Sequence, residues 1–468
     1  MPLSAIIFII CFLLGCVLAA VRHPVYGLMT YIVTLYLDPA GQWWGQNLLP
    51  QVRWEFIPAV ITVIALLFHR RRMPSPVFRS GAFRGFVMFV VWLLIQLPSA
   101  INPHAQTHLL TVWSKFLLVA VMICGCVDSW KNLRMVLWSH VFGCAYMGWT
   151  AYIFYRGGRF QGFGLNSIGD ANTAALELVI GFLVAAALFL SERWPAKVIL
   201  LLAMGFIADG ILMTVSRSGF LELTLGGLAF LIFTPKAYRS HVKVAATLAV
   251  ICFISLSGAY YWHRIHTIKD TGAKVSGVDT GHGRLVIIGA QWRMFHVHPL
   301  AGCGYGCTET LSPYYIPKQY LAQGLGKRAS HNTVMTMLVS FGIPGAIFYL
   351  SLLAWLYKSL KRLAPHVRFR DGLPATFFPA LVGVVVAVTV GDQFSQFPML
   401  EVRIWYVSLL IAYTQLLMRD VKSTSSAVVA DQPDPQSVEP ESAAVRQASA
   451  CARRLPAPGI PALRVVPQ

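Results

Sequence analysis

The sequence predicts an all-α polytopic membrane protein with about 12–13 transmembrane helices and one large external loop that contains short helices. Three observations lead there. Hydrophobic residues fill 56% of the 468 positions and charged residues only 12%, with a mean hydropathy of +0.61; a soluble domain carries about 25% charged residues. Apolar runs recur along nearly the whole chain, most of them long enough to cross about 30 Å of hydrocarbon. Basic residues collect in short clusters between those runs, as in loops kept on the cytoplasmic side. Backbone groups in lipid must pair within their own segment, so the spans are helices. The alternating pattern of a membrane β-barrel is absent.

The apolar segments lie at 3–21, 24–37, 55–69, 84–100, 108–127, 134–154, 172–191, 196–214, 219–234, 242–260, 332–357, 374–391 and 402–418. In the first, Leu13-Leu-Gly-Cys16 faintly resembles a lipoprotein cleavage site, but no basic stretch precedes it, so it reads as a retained helix. The second is short, and the sequence leaves open whether it crosses fully. The basic stretch from His69-Arg-Arg-Arg72 to Arg84 sets the orientation as cytoplasmic. Alternation then puts 128–134, 192–197, 235–243 and 358–373 on the same side, and all four are basic. The other side receives 38–54, 101–107, 155–171, 215–218, 261–331 and 392–401.

Four regions follow: an N-terminal transmembrane bundle (1–260), the large external loop (261–331), the C-terminal transmembrane helices (332–420) and a tail (421–468). The tail is rich in Pro, Ser, Ala and Gln and is expected to be disordered and cytoplasmic. The loop far exceeds the usual connection length and is not of low complexity, which points to function. Within it, apolar residues at 285, 288, 292 and 295 predict one buried helical face.

The net charge of +19 comes from 38 Lys+Arg against 19 Asp+Glu. Its distribution between spans explains it without nucleic acid, which is not an expected partner. Of the nine cysteines, Cys11, Cys16, Cys124, Cys126, Cys144 and Cys252 fall inside apolar runs. Cys303 and Cys307 sit in the glycine-rich loop, where a disulfide and two free thiols are both open readings. His263, His266, His282, His296 and His298 crowd the same loop without the spacing of a compact zinc site, so no metal is assigned. No P-loop, GxGxxG or GxSxG motif is present, and no cofactor is expected.

Ionisable groups at membrane boundaries carry the functional candidates. Arg217, in Thr214-Val-Ser-Arg-Ser-Gly219, lies on the side where charge bias disfavours arginine, and its planar donor fork suits phosphate. Gly283-Arg284 opens the periodic stretch of the loop, where an arginine joins backbone donors around an anion. His331, in Ser330-His331-Asn332, stands where the loop re-enters the membrane and is able to accept a proton near neutrality. Arg328 and Lys327 add positive charge just before it. Weaker candidates are Arg156, Arg159, Asp170 and Asn172, then Asp392, Glu401 and Arg403.

In this order these residues resemble a family. Ser216-Arg217-Ser218-Gly219, Gly283-Arg284, His298-Pro-Leu-Ala-Gly-Cys-Gly-Tyr-Gly306, Ser330-His331-Asn332 and Phe341-Gly-Ile-Pro-Gly345 look like the bacterial O-antigen ligase and polymerase superfamily. The stretch from Phe160 to Asn172 is similar to that family's earlier external loop. The likeness is dense from about 155 to 350, and the chain departs from the commoner pattern between 307 and 330.

The resemblance implies a GT-C-like membrane glycosyltransferase of the inner membrane whose active site faces the periplasm. It would transfer a glycan from an undecaprenyl-diphosphate donor to an acceptor hydroxyl, most plausibly on lipid A-core, without metal or cofactor. Arg217 and Arg284 would bind the donor diphosphate and His331 would serve as base. Ser216, Asn172, Arg159, Asn332 and Arg328 would support them. Polymerisation of exopolysaccharide or O-antigen repeats, or protein O-glycosylation, would use the same residues. A polysaccharide or lipid transporter is the alternative of another class; its usual paired halves are not evident here.

Overall fold

A computed structural model describes residues 2–46, 49, 52–68, 75–154, 159–161, 170–256, 281–321, 327–368, 370–396 and 398–430. Arg156, His263, His266 and the stretch 162–169 lie outside them. All regular secondary structure among the described residues is helical.

All thirteen apolar segments are helices. They are α1 (Leu3–Val21), α2 (Val25–Leu37), α3 (Phe56–Phe68), α5 (Gly81–Gln96), α6 (Pro103–Cys126), α7 (Trp130–Phe154), α8 (Ala171–Ser191), α9 (Ala196–Thr214), α10 (Arg217–Phe233), α11 (Lys236–Leu256), α14 (Thr333–Val367), α15 (Leu373–Gly391) and α16 (Glu401–Ala430). The other α-helices among the described residues are α4 (Ser75–Arg79) and, in the large loop, α12 (Gly281–Val297) and α13 (Cys307–Tyr315), with 3-10 turns at Leu97–Ser99 and Lys318–Tyr320. Among the described residues, seven helices are individually long and apolar enough to cross a membrane. The 13 residues of α2 rise only about 20 Å, short of the hydrocarbon thickness.

Residues Met1–Leu417 form one compact unit and Met418–Gln468 a second. In the second, the chain remains helical to Ala430 rather than starting as a disordered tail at 421. The reason is local: no proline interrupts i→i−4 bonding before Pro433. The rest of the expected tail lies outside the described residues.

In the first unit, α8 is the most enclosed span, lined by Ala174, Ala175, Leu178, Ala185 and Leu188 at zero exposure. Small residues let its neighbours close in. A Cβ on Gly226 of α10 would stand 3.0 Å from the Gly383 carbonyl of α15, and one on Gly383 would stand 2.8 Å from that of Gly226. Nearer the other end of α10, Phe233 meets Phe378 at 6.4 Å between centroids. The two helices therefore run antiparallel, which brings the start of α10 and the end of α15 to the same end of the pair.

Contacts join loops that the charge pattern puts on one side. Arg134 pairs with Glu192 at 3.2 Å, joining 128–134 to 192–197, and Gly372 N–H donates to Tyr238 Oη at 3.2 Å, joining 358–373 to 235–243. In the other set, Arg159 reaches the Thr214 carbonyl, Ile101 N–H donates to the Cys303 carbonyl, and Thr333 N–H donates to the Asp392 carbonyl.

Helix α14 is broken. Gly342 has φ 65° and ψ −157°, and Pro344 removes one more N–H and crowds the Ser340 carbonyl. Carbonyls freed inside a membrane need other donors. The glycine-rich loop supplies them: Cys303 N–H donates to Val339 O at 3.0 Å and Gly304 N–H to Ser340 O at 2.8 Å. Gln96 of α5 donates to Ser340 O at 2.6 Å and Trp92 to Phe341 O at 3.2 Å. In return, Ile343 N–H donates to Pro299 O at 3.0 Å. Phe89 stacks on Phe348 at 4.3 Å and holds the broken helix against α5.

Candidate active site

The geometry around Arg217 begins with a helix cap. Val215 takes a left-handed turn at φ 46°, and Ser216 is the N-cap of α10, its Oγ accepting from Gly219 N–H at 3.1 Å. Arg217 is the first helical residue, where the positive end of the helix dipole lies. The preceding turn is tied from α8: Ser216 Oγ donates to Asn172 Oδ1 at 2.8 Å, and Arg159 Nη2 donates to the same oxygen at 3.2 Å. Arg159 Nε also donates to Thr214 O at 3.0 Å, and Asp170 caps α8 by accepting from Asn172 and Thr173 N–H. Ser216, Asn172 and Arg159 thus come together around the turn that presents Arg217.

His331 adopts φ 50°, the left-handed region, which costs a non-glycine residue about 1–2 kcal/mol. Its neighbours fix the backbone on both sides. Gln291 of α12 donates to Ser330 Oγ at 2.5 Å, and Ser330 Oγ donates to Asn332 O at 2.9 Å. Asn332 caps α14, its Oδ1 accepting from Met335 N–H at 2.9 Å, and its amide donates to Gln393 O at 3.3 Å. Arg328 N–H donates to Ser312 Oγ at 2.8 Å and anchors the approach to α13. If His331 holds this backbone against its own preference, His331→Gly should be more stable than His331→Ala by about 1 kcal/mol. Thermal unfolding of both variants in detergent checks this; equal midpoints would contradict it.

Arg284 of α12 reaches Phe394, its guanidinium carbon 5.5 Å from the ring centroid, a cation–π contact. Phe394 belongs to the turn that follows α15, and that turn is the hub. Its Asp392 O accepts from Thr333 N–H at 2.7 Å, and its Gln393 O accepts from Asn332. The fully buried Asp392 carboxylate accepts from Arg403 at 3.0 Å and from Tyr349 Oη at 2.8 Å. Burial pushes the Asp392 carboxyl up, while Arg403, Tyr349 and Thr333 pull it down. Arg284 and the His331 segment thus contact the turn after α15, and Arg217 opens α10 at that same end of the α10–α15 pair.

From Arg403 an apolar groove descends between α6, α14, α15 and α16, lined by Phe348, Leu352, Leu353, Leu381 and Val385. Arg403, at its rim, pairs with Asp392 of the turn that carries Phe394.

One sequence expectation is corrected. The face of α12 formed by residues 285, 288, 292 and 295 is not the buried one: Leu285 is 68% and Trp292 49% exposed. The buried stripe is Ile287, Ala290, Gln291 and Met294. Both stripes have helical spacing. Ser330 Oγ accepts from the Gln291 amide N–H, which offsets part of the cost of burying that side chain. Gln291 and Glu222, a fully buried carboxyl one turn beyond Ser218, are site-flanking groups not singled out from the sequence. The available signal was a polar residue inside an apolar periodic run.

Cys303 and Cys307 are joined in a disulfide, with a Cα–Cα distance of 5.8 Å. The bond closes the turn that feeds donors to the break in α14.

No curated protein matches the chain. Residues 205–350 match the family model described as O-antigen ligase. The matched range runs from α9 into α14 and contains Arg217, Arg284 and His331. Over residues 205–350 the chain is therefore similar to the O-antigen ligase superfamily, and the match supports a glycan-transferring membrane enzyme at that coarse level.

Proposed function

We propose that this protein is an O-antigen ligase-type glycosyltransferase of the bacterial inner membrane. It takes a glycan from an undecaprenyl-diphosphate donor at the periplasmic face and passes it to an acceptor hydroxyl of lipid A-core. The acceptor oxygen attacks the anomeric carbon, the bond to the diphosphate oxygen breaks, and undecaprenyl diphosphate leaves. Arg217 and Arg284 hold the diphosphate and stabilise the charge that develops on it. His331 takes the hydroxyl proton. The apolar groove below Arg403 accommodates the polyprenyl chain.

The observation that supports this reading is that the segments carrying Arg217, Arg284 and His331 meet at one end of the α10–α15 pair, beside an apolar groove. The Cys303–Cys307 disulfide on the same set of loops favours an oxidising compartment and so the periplasmic side. Reconstitution in vesicles with undecaprenyl-diphosphate glycan and candidate acceptors tests it. Lipid A-core is expected to gain the glycan as free undecaprenyl diphosphate accumulates. Passage of intact donor across the bilayer without transfer to any hydroxyl would replace the enzyme with a transporter.

A further inference from the structure

Away from the candidate active site, four polar side chains from three helices converge in the interior. His140 and Cys144 lie one turn apart on α7, Glu177 projects from α8 and Tyr36 from α2, and all four are buried. One donor atom each from His140, Cys144 and Glu177 lies within 4.8 Å of the others.

The arrangement has the geometry of a metal centre. His140 Nε2 is 3.7 Å from Cys144 Sγ. Across a tetrahedral zinc ion, with Zn–N about 2.0 Å and Zn–S about 2.3 Å, nitrogen and sulfur stand about 3.5 Å apart. The other ring nitrogen, Nδ1, lies 2.9 Å from Tyr36 Oη, and Tyr36 O–H donates to Glu177 Oε1. Ligating histidines usually bond through their second nitrogen to an orienting group, and Tyr36 occupies that position. The space is also cleared for sulfur: a Cβ on Gly181 would come 2.5 Å from Cys144 Sγ. Trp405 and Tyr406 put their rings 5.8 and 5.7 Å from the imidazole.

Charge points the same way. A carboxylate alone in this interior is costly. A divalent ion bound by one thiolate, one carboxylate and a neutral imidazole makes a centre of zero net charge. A soft sulfur donor with an imidazole selects zinc over magnesium or calcium.

We propose that His140, Cys144 and Glu177 bind a structural zinc ion, oriented by Tyr36, that fastens α2, α7 and α8 together. The site is independent of the transfer chemistry proposed above. No compact motif announces it, because Glu177 lies 33 positions beyond Cys144.

The test uses the full chain purified in detergent from cells grown with zinc or with cobalt. Wild type is expected to retain one metal ion per chain by elemental analysis, and the cobalt form to show a thiolate-to-cobalt charge-transfer band. Cys144→Ser should lose the band, and Glu177→Gln should lower retained metal severalfold. Folded wild type without stoichiometric metal would overturn the proposal, as would a Cys144→Ser protein that keeps the band. Should the variants fail to fold, the wild-type metal content and cobalt spectrum still decide.

Discussion

Arg217→Ala is expected to lower glycan transfer by about 10²–10³-fold, the scale seen when one preorganised donor to a developing oxyanion is removed. The protein should still insert and elute as a folded species. Ser216, Asn172 and Arg159 hold the turn through their own hydrogen bonds. Arg217→Lys should restore only part of the loss: it keeps the charge but not the planar fork that grips two oxygens at once. Steady-state transfer by purified variants in vesicles measures the effect. Full activity in Arg217→Ala would remove this arginine from the mechanism, and loss of the folded species would assign it to stability instead.

The second large effect falls on the fold. Gly342→Ala should destabilise the protein by more than about 3 kcal/mol, through two separate causes. The conformation at φ 65° and ψ −157° belongs almost exclusively to glycine. An added Cβ would also stand 2.5 Å from Leu300 O and 2.7 Å from Gly302 N, both backbone atoms that cannot swing aside. The expected outcome is a much lower unfolding midpoint in detergent and a smaller monodisperse fraction. A midpoint equal to that of wild type would show that the break in α14 does not depend on this residue.

The spans were legible because each is written as a continuous apolar run, and lipid permits only helices for such runs. The short α2 was ambiguous because its 13 residues reach only part of the way across. The buried face of α12 was misread because Leu285, Trp292 and Phe295 are individually more hydrophobic than Gln291. The buried Gln291 donates to Ser330, 39 positions away, and no local pattern records that bond. The two glycine-rich motifs were visible as marks of a family. Their shared task, one filling the break in the other, required the contact between Cys303 and Val339 across 36 positions. Arg217, Arg284 and His331 stand out in the sequence for another reason: each breaks an apolar or charge pattern. In the turn at 392–395 only Asp392 carries such a mark, and its contacts with the start of α14, about 60 positions away, are not written in any local pattern.

The seam between Gln96 and the broken helix also has a bearing on how the chain is assembled. Gln96 finds its acceptors at Ala301 and Ser340, which follow it by 205 and 244 positions. When α5 and α6 first enter the bilayer, those carbonyls do not yet exist. Gln106 Nε2 lies 3.2 Å from Gln96 Oε1 and also donates to Leu93 O, so the young hairpin already holds a provisional polar clasp within itself. The finished seam forms only after the large loop and α14 have been made, which makes its closure one of the last steps in the birth of the protein.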